Sequence, residues 1–328
     1  MHPGFSVIFL TTLIGAGQGL FLGLYAAEIV ALLRGVVPQQ GSGFFVWGSL
    51  LALVFTGLGA VASLFHLGHP ERAWRALAMW RTSWLSREGI ALPAFMAAVF
   101  VYALGHHFGW RATPAIGAVA ALLCLTLFVC TGMIYACIKF LQEWASPLTV
   151  ANYMVLGCAS GLTLASAYAA SVPFMPDGLG AAQATAAVPP YAAAFAAAAM
   201  AATLLGLATR SASLLRNSRI KHKSSLQSAL GIHHPRIKQT SQGFMGGSYN
   251  TREFFHGRGQ ALLRSVKWLF LLLAFVLPLL LLGLGWQSGS AGALWAAFVV
   301  QYTGLLAERW FFFAQANHPQ NLYYQAIS

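Results

Sequence analysis

Charge is scarce in this chain: of its 328 residues only 8% are charged, and Asp and Glu together number 7. An ordinary soluble domain uses roughly 25% charged residues. A chain that is 58% hydrophobic cannot clothe itself in a solvated surface with so few charges, which excludes a soluble globular fold and points to a bilayer. Cysteine is sparse too. Cys124, Cys130, Cys137 and Cys158 fall within apolar runs, with neither CxxC nor any metal-ligand spacing, so no iron–sulfur cluster or zinc site is expected from this chain alone. Histidine is missing from the middle of every run: His66, His69, His106 and His107 sit at run ends, and His2, His222, His233, His234, His256 and His318 in loops or tails. A membrane b-type haem needs histidine pairs deep in facing helices, so no haem is expected. There is no P-loop, and no nucleic-acid module accompanies the basic residues, so neither nucleotide nor nucleic acid is an expected partner.

What is present is apolar length. A span needs about 20 apolar residues to cross a hydrocarbon core of roughly 30 Å. Candidates lie near 6–33, 44–67, 88–108, 114–141, 149–171, 190–210, 265–286 and 290–315. The runs are too long and uniform for the alternation of a transmembrane barrel, and lipid offers no partner to an open backbone. The expected fold is therefore an all-α integral membrane protein, an eight-helix transmembrane bundle forming a single membrane domain over residues 1–328. The first run lacks a charged leader and exceeds the length of a signal-peptide core, so it reads as a retained helix.

Lysine and arginine set the orientation. With eight spans, 17 of the 19 fall on the side that holds both termini and 2, Arg34 and Arg111, on the other. Both termini, the loop from His66 to Glu88 and a long basic loop over 211–264 are thus expected in the cytoplasm, in a bacterial inner membrane. The net charge of +12 is almost entirely this asymmetry. The basic loop serves as an orientation signal beside anionic headgroups or as a dock for an acidic protein partner.

The first sharply polar break runs from His66 to Glu88. It contains His66-Leu67-Gly68-His69-Pro70-Glu71-Arg72-Ala73, continues through Arg75 and Arg81, and closes with Leu85-Ser86-Arg87-Glu88. Pro70 suits the first turn of a short helix, and Trp74, Trp80 and Trp84 among arginines suit a segment at headgroup level. The bland reading is an interfacial anchor. In the functional reading, His66 closes the second span and Glu88 opens the third, so the two face one pocket at the bilayer edge. Histidine titrates near neutrality and a desolvated carboxylate rises toward it, a pairing suited to exchanging protons with a hydroquinone.

These segments resemble those of the membrane anchor subunit of the dimethyl sulfoxide reductase family, whose members have eight spans. The likeness rests on His66, Leu67, Gly68, Pro70, Arg72 and Ala73 after the second span, and on Leu85, Ser86 and Glu88 opening the third; Gln18 and Tyr135 also fit. The resemblance implies a membrane partner for a molybdopterin catalytic subunit and a four-cluster iron–sulfur subunit. It also implies that His66 and Glu88 act on menaquinol or ubiquinol, with Arg72, Gln18 and Tyr135 lining the site. Two departures stand out: Gly132-Met133-Ile134-Tyr135 lacks the arginine the family places ahead of this tyrosine, and the loop between spans six and seven is unusually long and basic.

The competing classes are a secondary transporter or channel, for which no matched pair of broken helices is visible, and an ion-translocating relative of the anchor. The latter wants charges through mid-membrane, and spans three, five, six and seven have essentially none. Gly15, Gly19 and Gly23 repeat at the spacing that lets helices approach closely. Gln18 is open between touching a quinone and bonding a neighbouring helix; Glu28 reads as interfacial, and Glu308 and Arg309 as a pair or as headgroup contacts.

Overall fold

A computed structural model describes residues 4–35, 42–65, 67–172, 190–221, 225–238, 259–319 and 321. The described residues contain no strand. The long helices are α1 (Phe5–Leu33), α2 (Ser42–Leu64), α3 (Trp84–His107), α4 (Thr113–Ala136), α5 (Pro147–Ser171) and α6 (Pro190–Ser218). A short α7 (Leu226–Leu230) follows, then α8 (Gln260–Leu271) and α9 (Leu277–Ser288), joined by a π-turn over Leu272–Val276, and finally α10 (Ala291–Ala314). Seven rods are long and apolar enough to cross a membrane, α8, the π-turn and α9 counting as one. The eighth, α10, has a span's 24 residues but carries Gln301, Glu308 and Arg309 on its buried side. The expected helical membrane bundle is present.

Helix ends follow local chemistry. Pro114 and Pro147 sit in the first turns of α4 and α5, where a missing N–H costs nothing. Ser83, Ser146 and Ser290 cap α3, α5 and α10 by accepting from the backbone N–H of Ser86, Leu148 and Ala293. Gly109, after α3, and Gly289, after α9, turn the chain through the left-handed region at φ 67° and 68°.

Three boundaries differ from the apolar runs. α4 stops at Ala136, and residues 138–146 form turns in which Trp144 donates to the Phe312 carbonyl at 2.9 Å. Cys137 accordingly caps a helix and is exposed. α6 continues to Ser218, so its basic end, including Arg210, belongs to a helix; α8 likewise begins at Gln260. What the sequence presents as a loop over 211–264 is thus shortened at both ends, and residues 239–258 fall outside the described part.

Helices α1 and α5 form the centre, and their contact explains the glycine spacing. A methyl at Gly19 would collide with the Gly157 carbonyl and the Cα of Gly161, and one at Gly161 with the backbone of Gly19, so only hydrogen allows the two backbones to touch. On the other side of α1, Gly17 lies against Ala52 and Thr56 of α2. The π-turn has a chemical cause. Pro278 cannot donate to the Ala274 carbonyl four residues earlier, and Gln301 Nε2 of α10 reaches that oxygen at 3.4 Å instead.

Candidate functional site

Glu88 lies one turn into α3. The preceding 3-10 helix, Pro70–Met79, has no buried residue, yet it is tied to the start of α3. Ser86 Oγ donates to the Ala76 carbonyl, and Leu77 covers Gly89, where a Cβ would strike it. Arg87 donates to the carbonyls of Trp80 and Arg81 at 2.9 and 2.7 Å and lies 4.3 Å over the Trp84 ring. These bonds orient the first turn of α3 so that Glu88 points inward, 7% exposed.

Inside, Thr131 of α4 donates to Glu88 Oε1 at 2.5 Å. The carboxylate lines a cavity of about 10 Å³, room for one water, with Thr11, Gln18, Phe128, Thr131 and Tyr153 among its walls. Gln18 spends its amide N–H on the Cys124 carbonyl at 2.9 Å, so it both bonds a neighbouring helix and faces the cavity. Four spans thus meet here: α1, α3, α4 and α5. A buried carboxylate with a hydroxyl donor and a nearby amide can hold or release one proton and accept a hydrogen bond from a ligand hydroxyl.

The other sequence candidates are distributed around this point. Tyr135 does not line the cavity; it packs behind it, stacked on Tyr153 with ring centroids 5.5 Å apart and edge-on to Trp144, Phe312 and Phe313. Arg72 lies outside on the exposed 3-10 helix, 3.7 Å from Glu71, which His69 also meets at 3.0 Å. His66 falls outside the described residues.

A second polar group was legible in the sequence only as a pairing of Glu308 with Arg309; its third member, Arg210, was not. Arg210 of α6, 2% exposed, places Nε 2.7 Å from Glu308 Oε1, and Arg309 Nη1 stands 3.3 Å from Glu308 Oε2. Glu308 is therefore a buried carboxylate between two guanidinium groups, neither a headgroup contact nor a simple pair. Arg210 sits where the apolar run ends, and position alone makes it resemble an interfacial residue; only the continuation of α6 carries it into the interior. Glu28, at the opposite end of α1, is also buried rather than interfacial. Tyr102 donates to its Oε2 at 2.7 Å, and His106, stacked on Phe45, approaches Oε1 at 3.4 Å. No group of three or more potential metal-ligating side chains occurs among the described residues.

A family model described as DMSO reductase anchor subunit (DmsC) matches residues 1–174, which contain α1 to α5 and every residue around Glu88. A sulfite dehydrogenase subunit of Allochromatium vinosum is similar from end to end, 49% identical over 341 residues and covering 100% of both chains. More than half of the chain lies within the family model, and the chain belongs to the DMSO reductase anchor subunit (DmsC) family.

Proposed function

We propose that this membrane anchor exchanges electrons and protons between the quinone pool and a four-cluster iron–sulfur subunit, which in turn serves a molybdopterin catalytic subunit. The carrying observation is Glu88, a carboxylate buried at the edge of the bundle with a hydroxyl donor and a water-sized cavity in front of it. His66, which follows α2 in the sequence, is the second proton-exchanging group in this reading, with menaquinol or ubiquinol as the membrane ligand. The family supports an anchor over the transporter or channel reading. The proposed setting is the bacterial inner membrane with both termini cytoplasmic, as the arginine and lysine asymmetry favours.

The sequence resemblance suggests quinol oxidation, two protons and two electrons leaving each quinol. The relative's name favours the reverse direction: a sulfite dehydrogenase withdraws electrons, and two of them with two protons convert a quinone to its quinol. Sulfite is accordingly the proposed soluble substrate of the complex. The Glu88 site serves either direction, because proton transfer at one carboxylate is reversible.

The test is binding of a hydroxyquinoline N-oxide quinone analogue, together with sulfite-dependent reduction of a short-chain quinone, by the purified complex in nanodiscs. Wild type is compared with Glu88→Gln and His66→Ala at matched subunit assembly. Loss of analogue binding or of turnover in both variants is expected; unchanged binding and turnover in both would move the quinone chemistry elsewhere in the bundle.

A further inference from the structure

Three small cavities lie end to end between Glu88 and the end of the bundle. The first is the Glu88 cavity. The second, also about 10 Å³, shares Thr11 and Tyr153 with it and adds Thr12, Ser160 and Arg309. The third, of the same size, shares Arg309 with the second and runs past Glu308, Arg210 and Asn152 to Glu143, in the turns between α4 and α5. Each has room for about one water. The residues shared at the junctions, Thr11, Tyr153 and Arg309, are polar, although Ile14, Phe128, Leu156 and Leu305 also line the first two cavities.

Several polar atoms along this line have no partner among the described residues. Arg210 Nη2 and Asn152 Oδ1, on side chains 2% and 3% exposed, and Glu143 Oε2 have no hydrogen-bond partner among the described residues. An unpaired buried polar group is strongly disfavoured in a membrane interior, so such atoms mark places where water is held. A purely structural ion pair between α6 and α10 would explain Arg210 and Glu308. It would not explain unpaired atoms facing a chain of cavities that ends on the quinone-site carboxylate.

We propose that this line is a hydrated proton conduit. It joins the Glu88 cavity to the membrane face at Glu143 by way of Tyr153, the Arg309–Glu308–Arg210 triad and Asn152. The proposal rests on the Glu88 reading above and extends it: when quinone takes two electrons from the iron–sulfur partner, two protons must arrive to make the quinol, and in the reverse direction two must leave. The end groups, Glu143 and Glu88, take up and deliver protons, and water with the Tyr153 hydroxyl carries them between. The triad sets the control. Two guanidinium groups against one carboxylate leave a net positive charge in the middle of the path, which opposes free hydronium, as cationic residues do in water-selective pores. Protons therefore move when reduction of the quinone places negative charge at the Glu88 end, and the conduit does not leak in its absence.

Two variants test it in the intact complex: Glu143→Gln, which removes the outer proton-accepting group at the bundle end, and Asn152→Leu, which dries the third cavity at similar volume. Quinone-analogue binding and the KM for short-chain quinone should be unchanged. Turnover should fall by about a hundredfold, the lower end of what positioned proton transfer contributes. The solvent deuterium isotope effect should rise, and imidazole added as a diffusible proton carrier should restore part of the rate in Glu143→Gln. Wild-type turnover and isotope effect in both variants would overturn the conduit. So would a loss of turnover with an unchanged isotope effect and no rescue, which is the signature of a structural role. Glu88→Gln separates the two readings: if it leaves analogue binding and turnover intact, the site assignment fails and the conduit with it. If Glu88→Gln abolishes binding while the path variants behave as wild type, the conduit alone is overturned.

Discussion

Arg309 holds its guanidinium carbon 3.6 Å from the centre of the Tyr153 ring while the same side chain reaches Glu308. Tyr153 in turn walls the Glu88 cavity. One cation thus touches both polar regions of the bundle, and its removal should be felt at each. A desolvated cation–π contact is worth about 2 kcal/mol. Arg309→Gln should lower the thermal stability of the complex in detergent by a similar amount and weaken quinone-analogue binding several-fold. Loss of stability with no change in binding would separate the triad from the cavity.

The triad should respond asymmetrically to neutral substitution. Arg210→Gln leaves Glu308 beside Arg309 and removes the excess positive charge, whereas Glu308→Gln leaves two buried cations without a counter-ion. Removing one member of a buried ion pair costs about 3–5 kcal/mol. Glu308→Gln should reach that range and Arg210→Gln fall below it, as read from denaturation of the isolated complex. The opposite order would show that Arg210, not the carboxylate, sets the local charge balance.

Gln301 joins three elements, accepting from Thr163 of α5 at 2.7 Å and donating to Thr203 of α6 at 2.9 Å as well as to the Ala274 carbonyl. Gln301→Leu strips all of these partners at once. Each unsatisfied buried group costs about 1–3 kcal/mol, so a destabilisation of at least about 2 kcal/mol is expected in thermal or denaturant unfolding. A shift under half of that would mean the π-turn finds another donor for its carbonyl.

The 3-10 helix depends on Arg87, whose two backbone bonds hold the carbonyls of Trp80 and Arg81. Arg87→Ala should loosen it from α3 and make cleavage by trypsin after Arg75 or Arg81 several-fold faster in nanodiscs, with the spans intact. Unchanged cleavage would assign the anchoring to Ser86 and its bond to the Ala76 carbonyl.

The helical membrane architecture was legible because it follows from the apolar length of the runs, and the burial of Glu88 was legible because a carboxylate just inside a span has few cheap explanations. Gly15 and Gly19 were readable as a packing seam from spacing alone, though nothing in the spacing named α5 as the partner. The triad escaped detection for a physical reason. Arg210 follows an alanine-rich run of ordinary span length, where hydropathy places a boundary, and burial of its guanidinium depends on Glu308, nearly a hundred residues away in sequence. The burial of Glu28 is hidden from the sequence for the same reason, since the Tyr102 hydroxyl that accommodates it lies on α3. Tertiary partners decide whether a charge near a span end is outside or inside, and a linear hydropathy pattern carries no record of them.

The seam between α1 and α5 sets a tolerance as well as a contact. Where Gly19 and Gly161 meet there are no side chains to change rotamer, so the separation of the two axes is fixed by backbone atoms and cannot relax by repacking. A slip of one residue would bring Gln18 or Leu20 against a surface that admits only hydrogen. The register of α1 on α5 is consequently all or nothing. Thr11 and Gln18 on one helix and Tyr153 on the other line the same cavity as marks on a rule face their vernier, aligned by two glycines that lie outside its wall.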